Sequence, residues 1–243
     1  MSRNTFMVFG NTYIKTPDMA KTSILESINK AVKDADIDFV IMVGELTISA
    51  AVDQFKAAKY VMDNSPVPVY VTASNHDLVY THVDGKRRTN DNFARFSKIL
   101  ENETEYTTSK DGSYFIMLSH ADSIGTNFAK NELVKLENNT SYDFVYLVTE
   151  GPVAFNETMN LDSKPIIGIR GGNRTGVELK EIDGRHVKII PTENNANDNE
   201  DDYLILKENE GFVVVDSYVD RSLNESFKII IDRSAETCSV ETL

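Results

Sequence analysis

The chain is poor in the features that mark a compartment or a common catalytic device. It has a single cysteine, Cys238, in 243 residues. That excludes an internal disulfide and a cysteine-based metal cluster, so the fold does not depend on an oxidising environment. No apolar run approaches the roughly 20 residues that cross a bilayer as a helix, and the first residues show no charged-then-apolar leader. Positive charge is scarce: 25 Lys and Arg stand against 38 Asp and Glu, a formal net charge of −13. This balance argues against a broad footprint on nucleic acid or an anionic membrane. The triplet Lys86-Arg87-Arg88 is too short to reverse it and reads as a solvated loop. There is no Gly-rich phosphate loop, nucleophile elbow or Cys/His cluster, which leaves kinase and other hydrolase readings without support. The expectation is a soluble protein, cytoplasmic or otherwise intracellular, with no membrane or nucleic acid as partner. Without a leader, the Asn-x-Ser/Thr triplets at Asn102, Asn138, Asn156 and Asn224 read as chance in an Asn-rich chain.

What the chain does have is one shape repeated three times. Residues 67–71, a β-branched and aromatic run of strand length, lead into Thr72-Ala73-Ser74-Asn75-His76-Asp77, a small-residue turn that presents an amide, an imidazole and a carboxylate in succession. Residues 6–9 lead into Gly10-Asn11-Thr12-Tyr13, and residues 38–43 into Gly44-Glu45-Leu46-Thr47. Each is an apolar run, then a turn, then a helical pattern. Strand, helix, strand, helix, strand implies parallel connections, with the three loops converging on one edge of the sheet, where α/β proteins place their sites.

The connecting helices are marked by their caps and stripes. Thr16-Pro17-Asp18 is a helix start, followed by Ile24, Leu25, Ile28, Ala31, Val32 and Ala35 on one face. Thr47 or Ser49 is the expected cap of a second helix carrying Ala51, Phe55, Ala58 and Met62, which ends before Pro66. Residues 78–92 read as a polar loop leading to a helix over 92–100. Residues 106–108 and 114–118 around Asp111-Gly112 read as a hairpin that begins a second sheet. A helix through Ala129, Leu133 and Leu136 precedes a buried strand over 143–148, and another strand spans 166–170. Further strands are expected over 177–182, 186–190, 203–206, 212–218 and 227–231. The acidic, Asn-rich segment 194–202 reads as a loop.

In order, spacing and flanks, these loops resemble the calcineurin-like metallophosphoesterases, and within them the cyclic-nucleotide phosphodiesterase branch, whose three loops read D-x-H, G-D-L-T and G-N-H-D. Here they read Asn11-Thr12-Tyr13, Gly44-Glu45-Leu46-Thr47 and Ser74-Asn75-His76-Asp77. Thr149-Glu150-Gly151-Pro152 stands where the family has T-H-x-P. Gly171-Gly172-Asn173-Arg174-Thr175 resembles its G-H-x-H loop. The resemblance is carried most fully by residues 6–77, continues to 175 and thins beyond. It implies a single phosphoesterase-like domain over 1–243, built as a four-layer α/β/β/α sandwich with two mixed β-sheets.

The family's enzymes hold two cations that bind phosphate oxygens and activate a bridging water, a task for carboxylates and imidazoles. Carried over one position at a time, the resemblance places the former metal ligands at Asn11, Tyr13, Glu45, Asn75, Glu150, Asn173 and Thr175. Only Asn75 keeps its type among them, and Glu45 keeps charge with an added methylene. His76, which in the family assists the leaving group, is retained. The expectation is a pseudoenzyme without a dinuclear Zn or Fe centre, kept for binding a protein partner or for a place in a larger assembly. The alternative is an all-oxygen site of Asn11, Glu45, Asn75 and Glu150 holding Mn, Mg or Ca, with His76 as general acid of slow phosphoester hydrolysis. Each residue also has a plainer reading: Asn75 as a turn former, His76 paired with Asp77, Glu45 serving a helix dipole, Tyr13 filling vacated space. His82, His186 and a His120/Asp122 pair add little to either.

Overall fold

Apolar residues with period two followed by apolar residues with period near four give the alternation of strand and helix through the first third of the chain. The computed structural model describes residues 3–243 apart from 15, 79–81, 84–85, 88–89, 120–122, 138, 140, 151–164, 172–176, 192–201 and 233. In chain order it opens with β1 (Thr5–Phe9), α1 (Pro17–Ala35), β2 (Phe39–Met42), α2 (Val52–Asn64) and β3 (Val69–Val71). The short α3 (Asn75–Leu78), a two-residue ladder of β4 (His82–Val83) with β5 (Lys86–Arg87), and α4 (Asn90–Leu100) follow. Then come β6 (Glu105–Lys110), β7 (Ser113–Leu118), α5 (Ser123–Leu136), β8 (Phe144–Thr149) and β9 (Ile167–Arg170). The chain ends in β10 (Glu178–Ile182), β11 (His186–Ile190), β12 (Tyr203–Asn209), β13 (Phe212–Val219), β14 (Ser222–Asp232) and β15 (Thr237–Thr242).

Two mixed sheets result. The seven-stranded one runs β15-β14-β13-β12-β1-β2-β3, with β1, β2 and β3 parallel and β12 antiparallel to β1. The six-stranded one runs β10-β11-β9-β8-β7-β6, parallel over β7, β8, β9 and β11 with antiparallel edges. Alternation along the strands sorts side chains into three cores. Phe6, Val8, Phe39 and Ile41 from the first sheet meet Phe115, Tyr146, Val148 and Ile169 from the second. There Phe6 stacks on Phe39 with centroids 4.8 Å apart, Phe115 stacks on Tyr146 at 4.6 Å, and Phe6 meets Phe115 edge-on at 5.5 Å. Such pairs add about 1 kcal/mol each beyond their burial. Met7, Phe9, Val40 and Met42 face the other way, against Ile24 and Ile28 of α1 and Phe55 and Ala58 of α2. Ile116, Leu118 and Leu147 face Ala129, Leu133 and Leu136 of α5. The order of layers is therefore α/β/β/α, as the sequence led one to expect.

Several local expectations change. Thr16 occupies the N-cap of α1 without a capping bond from its side chain. The N-cap of α2 is Ala51, neither Thr47 nor Ser49, because both hydroxyls are engaged elsewhere: Thr47 with Asp77 and Ser49 with Gln54 Oε1. The Gln54 oxygen also accepts the Ala51 N–H at 3.3 Å, doing the cap's work from inside the helix. Within 78–92, read as loop, lie β4 and β5, and α4 begins at Asn90. The C-terminal β15 was not anticipated; Cys238 and Val240 are its inward-facing apolar positions among polar neighbours. Most of the acidic 194–202 segment, Arg88, Asn138 and Asn156 lie outside the described residues.

Candidate functional site

The loops after β1, β2 and β3 meet at one edge and are stitched together by backbone bonds. Tyr13 N–H donates to Glu45 O and Ile14 N–H to Leu46 O, both at 3.0 Å, and the Thr12 hydroxyl donates to Leu46 O at 3.1 Å. Gly44 turns the second loop with φ +98°, and a Cβ there would fall 1.9 Å from Asn11 Oδ1. No other residue type fits the position. The chain just after β9 closes on the same point: a Cβ on Gly171 would lie 2.8 Å from Gly44 Cα, and Gly171 N–H donates to Thr149 O at 3.1 Å. The end of β7 joins in through Ser119 Oγ, which accepts the Ala73 N–H at 2.9 Å. Loops from both sheets thus converge, with Glu150 immediately after Thr149.

The hub beneath them is Asp77, wholly buried. Its Oδ2 accepts the N–H groups of Leu46 and Ser74 at 3.0 Å each; its Oδ1 accepts the N–H and the hydroxyl of Thr47 at 2.7 Å each. Burial pushes this carboxyl up to about 6 against the pull of those four donors. Ser74 Oγ in turn accepts the His76 N–H at 3.2 Å, so Ser74 and Asp77 form a capping box at the start of α3. The Ser-x-x-Asp spacing is the sequence signal for it. His76 is not paired with Asp77.

The His76 ring faces other groups. Nδ1 lies 3.0 Å from Ile48 O, and because a carbonyl only accepts, Nδ1 carries a proton. Nε2 lies 3.6 Å from Glu45 Oε1. Glu45 is buried and seven residues ahead of α2, so it serves no helix dipole; its carboxylate faces the imidazole instead. Asn11, also buried, uses Oδ1 to accept the Glu45 N–H at 2.9 Å, and its Nδ2 approaches the Tyr13 hydroxyl at 3.4 Å. Tyr13 is half-buried, with left-handed backbone at φ 43° and its ring edge-on to His76 at 6.1 Å between centroids. A bulky residue keeps that conformation only where its surroundings hold it. Asn75 is half-buried beside His76.

The structure therefore brings Asn11, Tyr13, Glu45 and His76 into mutual contact, with Asn75 and Glu150 on the adjoining loops. Asn173, Thr175, Gly151, Pro152, His120 and Asp122 lie outside the described residues. Two metal ions need several carboxylates and imidazoles aimed at one point. Among the described residues no three His, Cys, Asp or Glu side chains are grouped to hold one. At the contact of the first three loops the described donors are the Glu45 carboxylate and the His76 imidazole, facing each other. His186, by contrast, is structural: Nδ1 accepts the Ile166 N–H at 3.2 Å, and burial lowers its basicity to about 4.

No family model and no curated protein sequence matches the chain. Solved structures do. Purple acid phosphatase PPD1 from yellow lupin seeds is 13% identical over 99% of this chain and 57% of its own, with a TM-score of 0.67. GAP50, the anchor in the inner membrane complex of Plasmodium, is 10% identical over 100% of this chain and 89% of its own, with a TM-score of 0.58. The chain spans little more than half the length of the lupin phosphatase. The fold is that of the calcineurin-like metallophosphoesterases. No helix among the described residues is long and apolar enough to cross a membrane.

Proposed function

We propose that this chain, read as one phosphoesterase-like unit over 1–243, is a pseudoenzyme that works inside the cell by binding a protein partner or by taking a place in an assembly. One observation supports the reading: Asn11 and Glu45, at positions where the family holds metal, are engaged with the protein's own backbone and with His76. Asn11 Oδ1 is held by the Glu45 N–H, and the Glu45 carboxylate faces His76, whose other ring nitrogen is held by Ile48 O. An amide holds Zn or Fe far less firmly than a carboxylate does, and the extra methylene of Glu45 moves its oxygens away from where a bridging aspartate would put them. The Plasmodium protein is described as an anchor, so an anchoring role has been given to this fold elsewhere.

The buried carboxylate of Glu45 at the point of loop convergence favours a second reading. With Asn11, Asn75 and Glu150 it would make an oxygen-rich site for Mn, Mg or Ca, with His76 as general acid. Hydrolysis of bis(p-nitrophenyl) phosphate separates the two. The purified chain is stripped with chelator and assayed with Mn, Mg, Ca or Zn added in turn, beside His76→Ala. The expected result is no turnover above that of His76→Ala with any metal. Metal-dependent turnover that disappears in His76→Ala overturns the proposal in favour of the variant enzyme.

A further inference from the structure

The end of the sandwich opposite the loop cluster holds a cavity of about 450 Å³, within the range of small-ligand sites. Its walls come from the segment entering β1 (Arg3), the start of β8 (Asp143, Phe144), the turn between β12 and β13 (Glu210, Gly211) and the end of β14 (Ile230, Ile231, Asp232). These are the ends of the strands remote from Asn11, Glu45 and His76, so the cavity is independent of the site described above.

The lining is divided by chemistry. Phe144, buried, and Ile230, half-buried, supply an apolar surface. The one cation on the wall among the described residues, Arg3, is tied to Asp143 in an ion pair seated over Gly112, where a Cβ would come 3.2 Å from the guanidinium and 3.3 Å from the carboxylate. That pair cancels its own charge and leaves two carboxylates, Glu210 and Asp232, to set the sign. Asp232 Oδ1 accepts from Ser234 and from the Ala235 N–H, which leaves Oδ2 outside that turn. Among the described lining residues, the charged groups outside the Arg3–Asp143 pair are the carboxylates of Glu210 and Asp232.

We infer that the cavity is a binding site for a cation on an apolar stem, an alkyl guanidinium or ammonium whose stem lies on Phe144 and Ile230 and whose head meets Glu210 and Asp232. A protein arginine and a free polyamine share this chemistry. The test titrates the full chain, observed by amide NMR shifts, with N-acetylarginine amide, its uncharged analogue N-acetylcitrulline amide, and spermidine. A cation is expected to give saturable shifts centred on Phe144, Glu210, Gly211 and Ile230, with none from the citrulline compound. Glu210→Gln and Asp232→Asn, both at exposed positions, should each weaken binding about threefold, as removal of a partly solvated charge does. Stronger binding of the arginine compound points to a protein partner, and stronger binding of spermidine to a free polyamine; both support the site. No saturable shift from either cation, equal binding of the citrulline compound, or affinity unchanged in Glu210→Gln and Asp232→Asn overturns it.

Discussion

Among the described residues two carboxylates are fully buried, one at each end of the sandwich, and they are satisfied in opposite ways. Asp77 at the loop cluster takes three of its four bonds from backbone N–H groups, of Ser74, Leu46 and Thr47. Glu208 at the far end is held by side chains. Ser113 Oγ lies 2.7 Å from both of its oxygens, and Asn4 Nδ2 donates to Oε2 at 2.7 Å. Burial raises both carboxyls above their ordinary range. Backbone donors cannot turn round, so Asp77 fixes the shape of three loops. Side-chain donors adjust, so Glu208 joins strands of the two sheets without dictating their conformation. The rigid end is the one that resembles a catalytic centre, and the adaptable end is the one with the cavity.

Substitution should separate the two ends by size of effect. Asp77→Ala leaves four buried donors unpaired and is expected to cost about 4 kcal/mol in urea unfolding. Asp77→Asn should recover little, because an amide nitrogen has no acceptor among those three N–H groups. Glu208→Ala should cost about 3 kcal/mol, from two stranded side chains and a cavity. Glu208→Gln should cost only about 1 kcal/mol, since its oxygen still accepts from Ser113. A Gln substitution as damaging as Ala would erase the contrast.

His186 gives a pH test away from both clusters. Its imidazole is held to about 4 in the folded chain against about 6.5 unfolded. The unfolded chain therefore binds more protons between those values, and the stability present above pH 6.5 is lost as pH falls towards 4, by an amount of order 2 kcal/mol. Unfolding of wild type and His186→Leu at pH 7 and pH 4.5 should show that loss in the wild type only. The smallest effect is expected at Arg95, whose guanidinium donates to Ala50 O at 2.7 Å and helps hold Ala50 at φ 52°. Arg95→Ala should cost about 1 kcal/mol and speed hydrogen exchange over residues 46–51 while leaving β12 and β13 unchanged.

What could be read in advance follows the same division. The parallel strands, the crossover helices and the edge on which the loops meet were legible because each rests on a short run of sequence, such as residues 67–71 running into Ser74-Asn75-His76-Asp77. The Ser74–Asp77 capping box is equally local, carried by the Ser-x-x-Asp spacing. The bonds of Glu208 were not legible, since its partners Asn4 and Ser113 lie 204 and 95 residues away. Nor was the pairing of Glu45 with His76, which depends on where two loops stand relative to each other. The cap of α2 went to Ala51 because tertiary contacts claimed Thr47 and Ser49 first. β15 was missed because its alternation is carried by only two inward apolar side chains, Cys238 and Val240.

The central proposal, that Asn11 and Glu45 are engaged with backbone and with His76 instead of with a metal pair, is tested most directly by elemental analysis of the protein purified with Mn or Zn present and then dialysed. The expected result is no stoichiometric metal, with the same outcome for Glu45→Gln. About two metals per chain, lost in Glu45→Gln, would contradict it and make Glu45 a working ligand.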